Sequence, residues 1–335
     1  MTGKRNIASS VALPAAMLVG IAGFPLFRHL MPALPWMIFL MLFFTFCKID
    51  PMDLRLHRWH WIVLTAQILL TLITYYGLLY TTHDVLLAQG LMACFIMPTA
   101  TAAPVIAGKL GGSIQNLTTF TLFSNFATAV IVPAFFPLVN PASGITFVHA
   151  GLLILSKVGP LLLLPFFLAW ALRLTYNALH RRIGDPTPFH LPASLSQIPF
   201  WLWVGTLVIL MGNITHTMVH AQYSGWTVLW LLVGALLACL LQFFLGKYIG
   251  RRFPSTSHGT DYRDVLLNPA TAPTDPAGIT QITAGQAFGQ KNTSLGVWMA
   301  QTYLCPLAAL GPAAYIVWQN LFNAAQIARA SRTPA

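Results

Sequence analysis

Residues Met97-Pro-Thr-Ala-Thr-Ala-Ala-Pro104 interrupt an apolar run that begins near Val85, and Gly289-Gln-Lys-Asn-Thr-Ser-Leu-Gly296 interrupt another that begins near Gly278. Proline lacks a backbone N–H and pushes the residue before it out of helical geometry, so the first stretch ends one helix and opens another. The second stretch sets a lysine, an asparagine and two hydroxyls inside an apolar segment. Non-helical backbone at membrane depth survives only inside protein or beside a water-filled cavity. Both stretches therefore read as broken helices whose second halves begin with backbone amides that attract anions.

The composition around them calls for a membrane. Of 335 residues, 56% are hydrophobic and 7% charged, against about 25% charged in a soluble domain. The apolar runs are long and continuous, which excludes the alternating pattern of a transmembrane barrel. At about 20 residues per span there is room for about ten helices. They are expected at 7–27, 33–46, 59–80, 85 to the first break and beyond, 114–138, 149–174, 198–219, 226–248, 278 to the second break and beyond, and 306–328. The broken segments are the fourth and ninth, five spans apart. The expected fold is an all-α polytopic membrane protein of ten transmembrane helices in an inverted repeat of five plus five. Matched interruptions of this kind mark carrier binding sites.

Lysine and arginine outnumber aspartate 18 to 7, a net charge of +11. They sit in short clusters between apolar runs, not on one face, so they predict membrane orientation and not a nucleic-acid partner. Lys4/Arg5, Lys48/Arg55/Arg58, Lys109, Arg181/Arg182, Lys247/Arg251/Arg252/Arg263 and Arg329/Arg332 fall on one side, and Arg28 on the other. By the positive-inside rule both termini are cytoplasmic, in a bacterial inner membrane, and 251–276 is a cytoplasmic loop. The first apolar stretch reads as a retained helix, since no cleavage site follows it.

There is no glutamate, and Asp50, Asp53, Asp84, Asp185, Asp261, Asp264 and Asp275 all lie in or beside loops. Cys47, Cys94, Cys239 and Cys305 show no ligand spacing. His216 and His220, four apart, lack a third metal ligand. No HExxH or GxSxG motif is present, so neither an enzyme nor a resident cofactor is expected. A receptor would not need paired broken helices.

At the breaks and one turn, the chain resembles the bile acid:sodium symporter family. Pro98-Thr-Ala-Thr-Ala-Ala-Pro-Val105 matches the family's Pro-Gly-Gly-Thr-Ala-Ser-Asn-Val, and Ala287-Phe-Gly-Gln-Lys-Asn-Thr-Ser-Leu295 its Glu-Val-Gly-Met-Gln-Asn-Ser-Gly-Leu. Phe46-Cys-Lys-Ile-Asp-Pro-Met-Asp-Leu54 is similar to the loop after its second helix. The resemblance implies crossed helices 4 and 9. It also implies a panel domain (7–48 and 149–220) and a core domain (58–138 and 225–330). An anionic substrate would sit at the starts of the second half-helices, where Thr101 and Asn292 match the family's threonine and asparagine. Thr99, Lys291, Thr293, Ser294 and Asn320 complete the expected substrate site.

The family's sodium sites carry over in part. Ala103 and Pro104 stand for its Ser-Asn pair and Ala287 for its glutamate, while Ser124, Thr128 and Gln67 keep oxygen-bearing side chains. Gln290 lies between these positions, and Lys291 replaces a glutamine. A mid-membrane lysine costs roughly 2.5–3.5 kcal/mol on insertion scales. The Lys291 ammonium is expected to occupy a sodium position, held by Gln67 and nearby carbonyls, or else to snorkel to the cytoplasmic surface. The first case gives a sodium-independent uniporter or exchanger, or a proton-coupled carrier of a small organic anion. A sodium-coupled symporter and a non-transporting receptor remain the alternatives. Lys157 either faces the cargo or snorkels outward, and Asn320 and Asn323 either touch the cargo or hydrogen-bond between helices.

Overall fold

A computed structural model describes residues 15–141, 145–182, 189, 191–192, 195–220, 224–255 and 275–330. Among them every regular element is helical. The helices are α1 (15–22), α2 (Phe24–Phe27), α3 (Leu34–Phe46), α4 (Arg58–Thr82), α5 (Val85–Ile96), α6 (Ala103–Lys109) and α7 (Ile114–Val139), followed by α8 (Phe147–Arg182), α9 (Ile198–His220), α10 (Gly225–Arg252), α11 (Pro276–Gly289), α12 (Thr293–Tyr303) and α13 (Leu310–Ala330). Residues 7–14, Asp185, the loop 256–274 with Asp261, Arg263 and Asp264, and Arg332 lie outside the described residues.

Six segments are long and apolar enough to cross a membrane: Phe24–Phe46, α4, α7, α8, α9 and α10. They expose large apolar side chains such as Ile73, Val130, Leu237 and Phe244. Water would penalise such surface, whereas a bilayer accepts it. The chain is a polytopic integral membrane protein.

The helix ends follow simple chemistry. Asp84 caps α5 by accepting from the Leu87 N–H at 3.0 Å, and Asp275 caps α11 by accepting from the Gly278 N–H at 2.8 Å. These side chains satisfy backbone donors that a helix start leaves orphaned. Helix α8 runs past the expected 149–174 to Arg182, with His180, Arg181 and Arg182 in its last turn, where cations complement the helix dipole. The second break is narrower than the expected 289–296: α11 ends at Gly289 and α12 starts at Thr293.

The chain divides into two compact units. Unit 1 comprises Met1–Pro51, Ala129–Ser224 and Val297–Ala309; unit 2 comprises Met52–Thr128, Gly225–Gly296 and Leu310–Ala335. The division passes through α7 and α12, whereas the expected panel and core keep both helices whole in the core. In unit 1 a buried Arg173 on α8 donates to Asp50 Oδ2 at 3.0 Å and reaches the Cys47 carbonyl, tying α8 to the end of α3. In unit 2, α10 lies so close to α11 that a Cβ on Gly250 would collide with the Thr280 carbonyl, and one on Gly246 with the Ala284 carbonyl. A Cβ on Gly311 of α13 would likewise strike the Gly90 carbonyl of α5. Small residues at such crossings let backbones meet where no hydrophobic drive between helices exists.

Candidate functional site

Within unit 2 the two breaks pair with each other. Thr99 and Lys291 form an isolated antiparallel bridge. The Ala100 N–H donates to the Gln290 carbonyl at 2.9 Å, and the Asn292 N–H donates to the Pro98 carbonyl at 2.8 Å. The two bonds exchange the roles of the two segments, as a local twofold axis would. Pro98 serves as acceptor alone, which is why a proline fits there.

The flanks of the bridge are closed by the helix that follows each break. The Thr99 N–H donates to Ser124 Oγ on α7 at 2.7 Å. The Lys291 N–H donates to Gln319 Oε1 on α13 at 3.0 Å, and Gln319 Nε2 returns to the Lys291 carbonyl at 3.3 Å. Backbone groups buried without partners are costly, and these side chains supply partners.

The carbonyls at the ends of the first half-helices are also engaged. Gln67 Nε2 donates to the Ile96 and Met97 carbonyls of the α5 end at 3.2 and 3.1 Å, and Gln242 Nε2 to the Cys94 carbonyl at 3.2 Å. On α11, the Thr99 hydroxyl donates to the Ala287 carbonyl at 2.6 Å and the Tyr315 hydroxyl to the Gly289 carbonyl at 2.8 Å. The Lys291 side chain, 1% exposed, donates from Nζ to Gln67 Oε1 at 3.0 Å. Its ammonium lies 5.0 Å from the centroid of the Phe288 ring, within the range of a cation–π contact.

The residues nominated from sequence are distributed as follows. Thr99, Lys291, Gln67 and Ser124 meet at the bridge, to which Ala287 and Gln290 bring backbone carbonyls. Asn292 Oδ1 accepts from the Leu295 N–H at 3.2 Å and so caps α12. Thr293 and Ser294 are buried in the first turn of α12, and Thr101 is half-buried before α6. Ala103 and Pro104 are buried in the first turn of α6 and bring no side-chain oxygen. Thr128 is buried one turn beyond Ser124. Asn320 is half-buried beside Gln319, which makes the contact instead. Lys157 is exposed on α8. In unit 1, His216 and His220 stack at 4.1 Å, and Arg28 lies against His216. No group of three metal-ligating side chains occurs among the described residues.

Several buried polar atoms near the breaks have no hydrogen-bond partner: Asn292 Nδ2, Gln290 Oε1, both amide atoms of Gln286, Asn125 Oδ1 and Thr128 Oγ1. They supply neutral donors and acceptors, without a carboxylate. A hard cation such as sodium prefers a cage of oxygens, usually with a carboxylate among them. Here side-chain donors engage the carbonyls at the break, and Lys291 Nζ stands beside them.

Gln319, Tyr315 and Gln242 escaped the sequence reading. Tyr315, Gln319 and Asn323 recur every four residues on α13, and all three are buried. That spacing puts the three on one face of α13, from which Tyr315 and Gln319 reach the second break.

The fold and site define an integral membrane protein with two interrupted helices paired at their breaks. No family model matches the chain, and no curated protein matches it.

Proposed function

We propose that this protein is a secondary transporter that carries a small organic anion by exposing the crossing of its two broken helices to each membrane face in turn. In this reading α5–α6 and α11–α12 are interrupted spans 4 and 9 of ten, arranged as an inverted repeat of five plus five. At a rise of 1.5 Å per residue, α5 and α11 reach about 18 and 21 Å, too short for a hydrocarbon core of about 30 Å. The repeat is supported by equivalent parts in the two halves. Asp84 and Asp275 cap the first half-helices, Ser124 and Gln319 hold the central N–H groups, and the bridge bonds are reciprocal.

The observation that carries the proposal is Lys291, a buried lysine at the crossing whose Nζ donates to Gln67 Oε1 at 3.0 Å and lies 5.0 Å from the centroid of the Phe288 ring. It meets the α5 carboxyl end through Gln67, where a helix concentrates negative partial charge. A cation bound from solution would take that place in a sodium-coupled relative of the family the sequence resembles. With the ammonium built in, transport needs no sodium. Its setting would be a bacterial inner membrane with both termini cytoplasmic.

Counterflow in proteoliposomes tests this reading. A panel of labelled carboxylates and sulfonates is offered in sodium-free potassium buffer and again in sodium buffer. Accumulation of one member at equal rates in both is the expected result. Stimulation by sodium of about fivefold or more would return the chain to the sodium-coupled class. Saturable binding without movement of label would make it a receptor.

A further inference from the structure

We infer that His57 and His60 form a proton-sensitive latch that fastens α11, the first half of the second interrupted segment, to the starts of α4 and α7, and that acid opens it and slows transport. The effect on transport rests on the transporter reading above. The latch itself stands on hydrogen bonds within unit 2.

The two imidazoles cap each other's backbone. The His57 N–H donates to His60 Nδ1 at 3.0 Å, and the His60 N–H donates to the His57 side chain. His57 Nε2 lies 3.2 Å from Asn116 Oδ1, an amide oxygen that can only accept. Nε2 therefore carries the hydrogen, and His57 Nδ1 keeps the lone pair that receives the His60 N–H. His60 Nδ1 is an acceptor in the same way. The pair closes only while both rings are neutral.

From His57 the bonds run on to α11 by two threads. Asn116 Nδ2 donates to Ser255 Oγ at 3.1 Å, just past the end of α10, and the Ser255 N–H donates to Thr280 Oγ1 on α11 at 3.1 Å. The Asn116 N–H donates to Ser113 Oγ at 3.2 Å, and the Ser113 N–H donates to Thr283 Oγ1, also on α11, at 2.8 Å. Asn116, Ser113, Ser255, Thr280 and Thr283 are all buried, so a bond broken among them is costly. From Thr280, α11 continues as one helix to Gly289, a reach of about 14 Å. There Gln290 joins the bridge between the breaks. A shift at the latch is thus carried along a rigid rod to the crossing.

A proton on His57 Nδ1 turns that acceptor into a donor facing another donor, the His60 N–H. The cap is then lost, and a new cation stands near Arg55. Arg55 and His60 are the charged and titratable groups that act on His57 from its own end of α4. From α7, the end of α10 and α11, the network holds amides and hydroxyls, which do not titrate in this range. Burial, with Arg55 adding to it and the Asn116 bond opposing, keeps the His57 imidazole below its ordinary 6.5. The latch is closed at neutral pH and opens as the pH falls through the folded value.

Hydrogen exchange on the full chain in detergent tests the latch, once the intrinsic pH dependence of amide exchange is divided out. Between about pH 7.5 and about pH 5, protection at 57–63 and at 279–284 should fall together, on the order of tenfold. In His57→Asn, whose shorter side chain still caps α4 and does not titrate, protection should change less than about twofold. In Asn116→Leu, acid should loosen 57–63 and leave 279–284 as it was. Should that variant not fold, the joint loss in the unmodified protein and its absence in His57→Asn decide. Unchanged protection in acid, loss at α4 alone, or the same loss in His57→Asn would overturn the latch. Counterflow of the labelled carboxylates and sulfonates, with protein-free vesicles subtracted, should slow about threefold or more in acid, and less than about twofold in His57→Asn. Rates indifferent to acid would overturn the effect on transport. Absence of counterflow at every pH, with the exchange result intact, removes the transporter reading and leaves the latch.

Discussion

The Gln319 side-chain amide grips both backbone groups of Lys291, accepting from its N–H at 3.0 Å and donating to its carbonyl at 3.3 Å. An amide placed this way does the work of a third strand beside a one-residue ladder. Replacement by leucine strands a buried donor and a buried acceptor, each worth about 1–3 kcal/mol. Gln319→Leu should lower stability on the order of 2–4 kcal/mol, and Gln319→Glu, which keeps the acceptor, by less. Thermal unfolding of the purified protein in detergent measures both, and equal melting temperatures for Leu and wild type would refute the assignment.

Arg173 and Asp50 differ in exposure, with side chains 11% and 40% accessible. Removing the aspartate leaves a buried guanidinium with only the Cys47 carbonyl and the Phe189 ring, 5.6 Å away, to hold it. Removing the arginine leaves a carboxylate that water can reach. Asp50→Asn should therefore cost about 1 kcal/mol, the half-exposed partner being screened, and Arg173→Met should cost no more. The double variant should be no worse than Asp50→Asn alone. A double-mutant cycle by denaturant unfolding reads the coupling.

Glycine positions separate sharply by what surrounds them. Gly250 has the Thr280 carbonyl where a Cβ would stand, while Gly77 on α4 has nothing within 4 Å. Gly250→Ala should force α10 and α11 apart at a cost of at least about 1–3 kcal/mol. Gly77→Ala should be neutral or stabilising by up to about 1 kcal/mol. Yields of monodisperse protein and melting temperatures should fall for Gly250→Ala and hold or rise for Gly77→Ala.

His57 precedes α4 and responds to pH. Burial holds its imidazole below the ordinary 6.5, the Arg55 charge adds to this, and the bond with Asn116 opposes it. Its side chain also accepts from the His60 N–H in a capping box. As pH falls below about 6.5, the unfolded chain takes up this proton before the folded one, so stability declines with falling pH and the loss is complete below the folded value. Above 6.5 the contribution is flat. His57→Asn should remove that part of the pH dependence, as followed by melting temperature between mildly acidic and neutral buffer.

Hydrophobic run length made the uninterrupted helices legible, since lipid demands long apolar segments and the boundaries of α4, α7 and α9 fall within two residues of those expected. The breaks were legible because Pro98, Pro104 and Lys291 are chemically out of place in an apolar helix. What escaped was partnership. Gln319 lies next to Asn320, and nothing local distinguishes the two until the four-residue spacing from Tyr315 is placed against the break. The narrow second break was hidden for a related reason: Asn292 caps α12, so Thr293 and Ser294 begin a helix where their polarity suggests a loop.

The bridge between the breaks is written in main-chain atoms, and this shapes what sequence change it can absorb. Its two rungs use the N–H groups of Ala100 and Asn292. Every side chain except proline preserves them, so the joint itself tolerates wide drift at 98–101 and 290–292 while the chemistry displayed there is rewritten. Two substitutions stand apart: Ala100→Pro and Asn292→Pro each delete one rung. A family of such chains could therefore exchange cargo and coupling at the same joint without redesigning the joint.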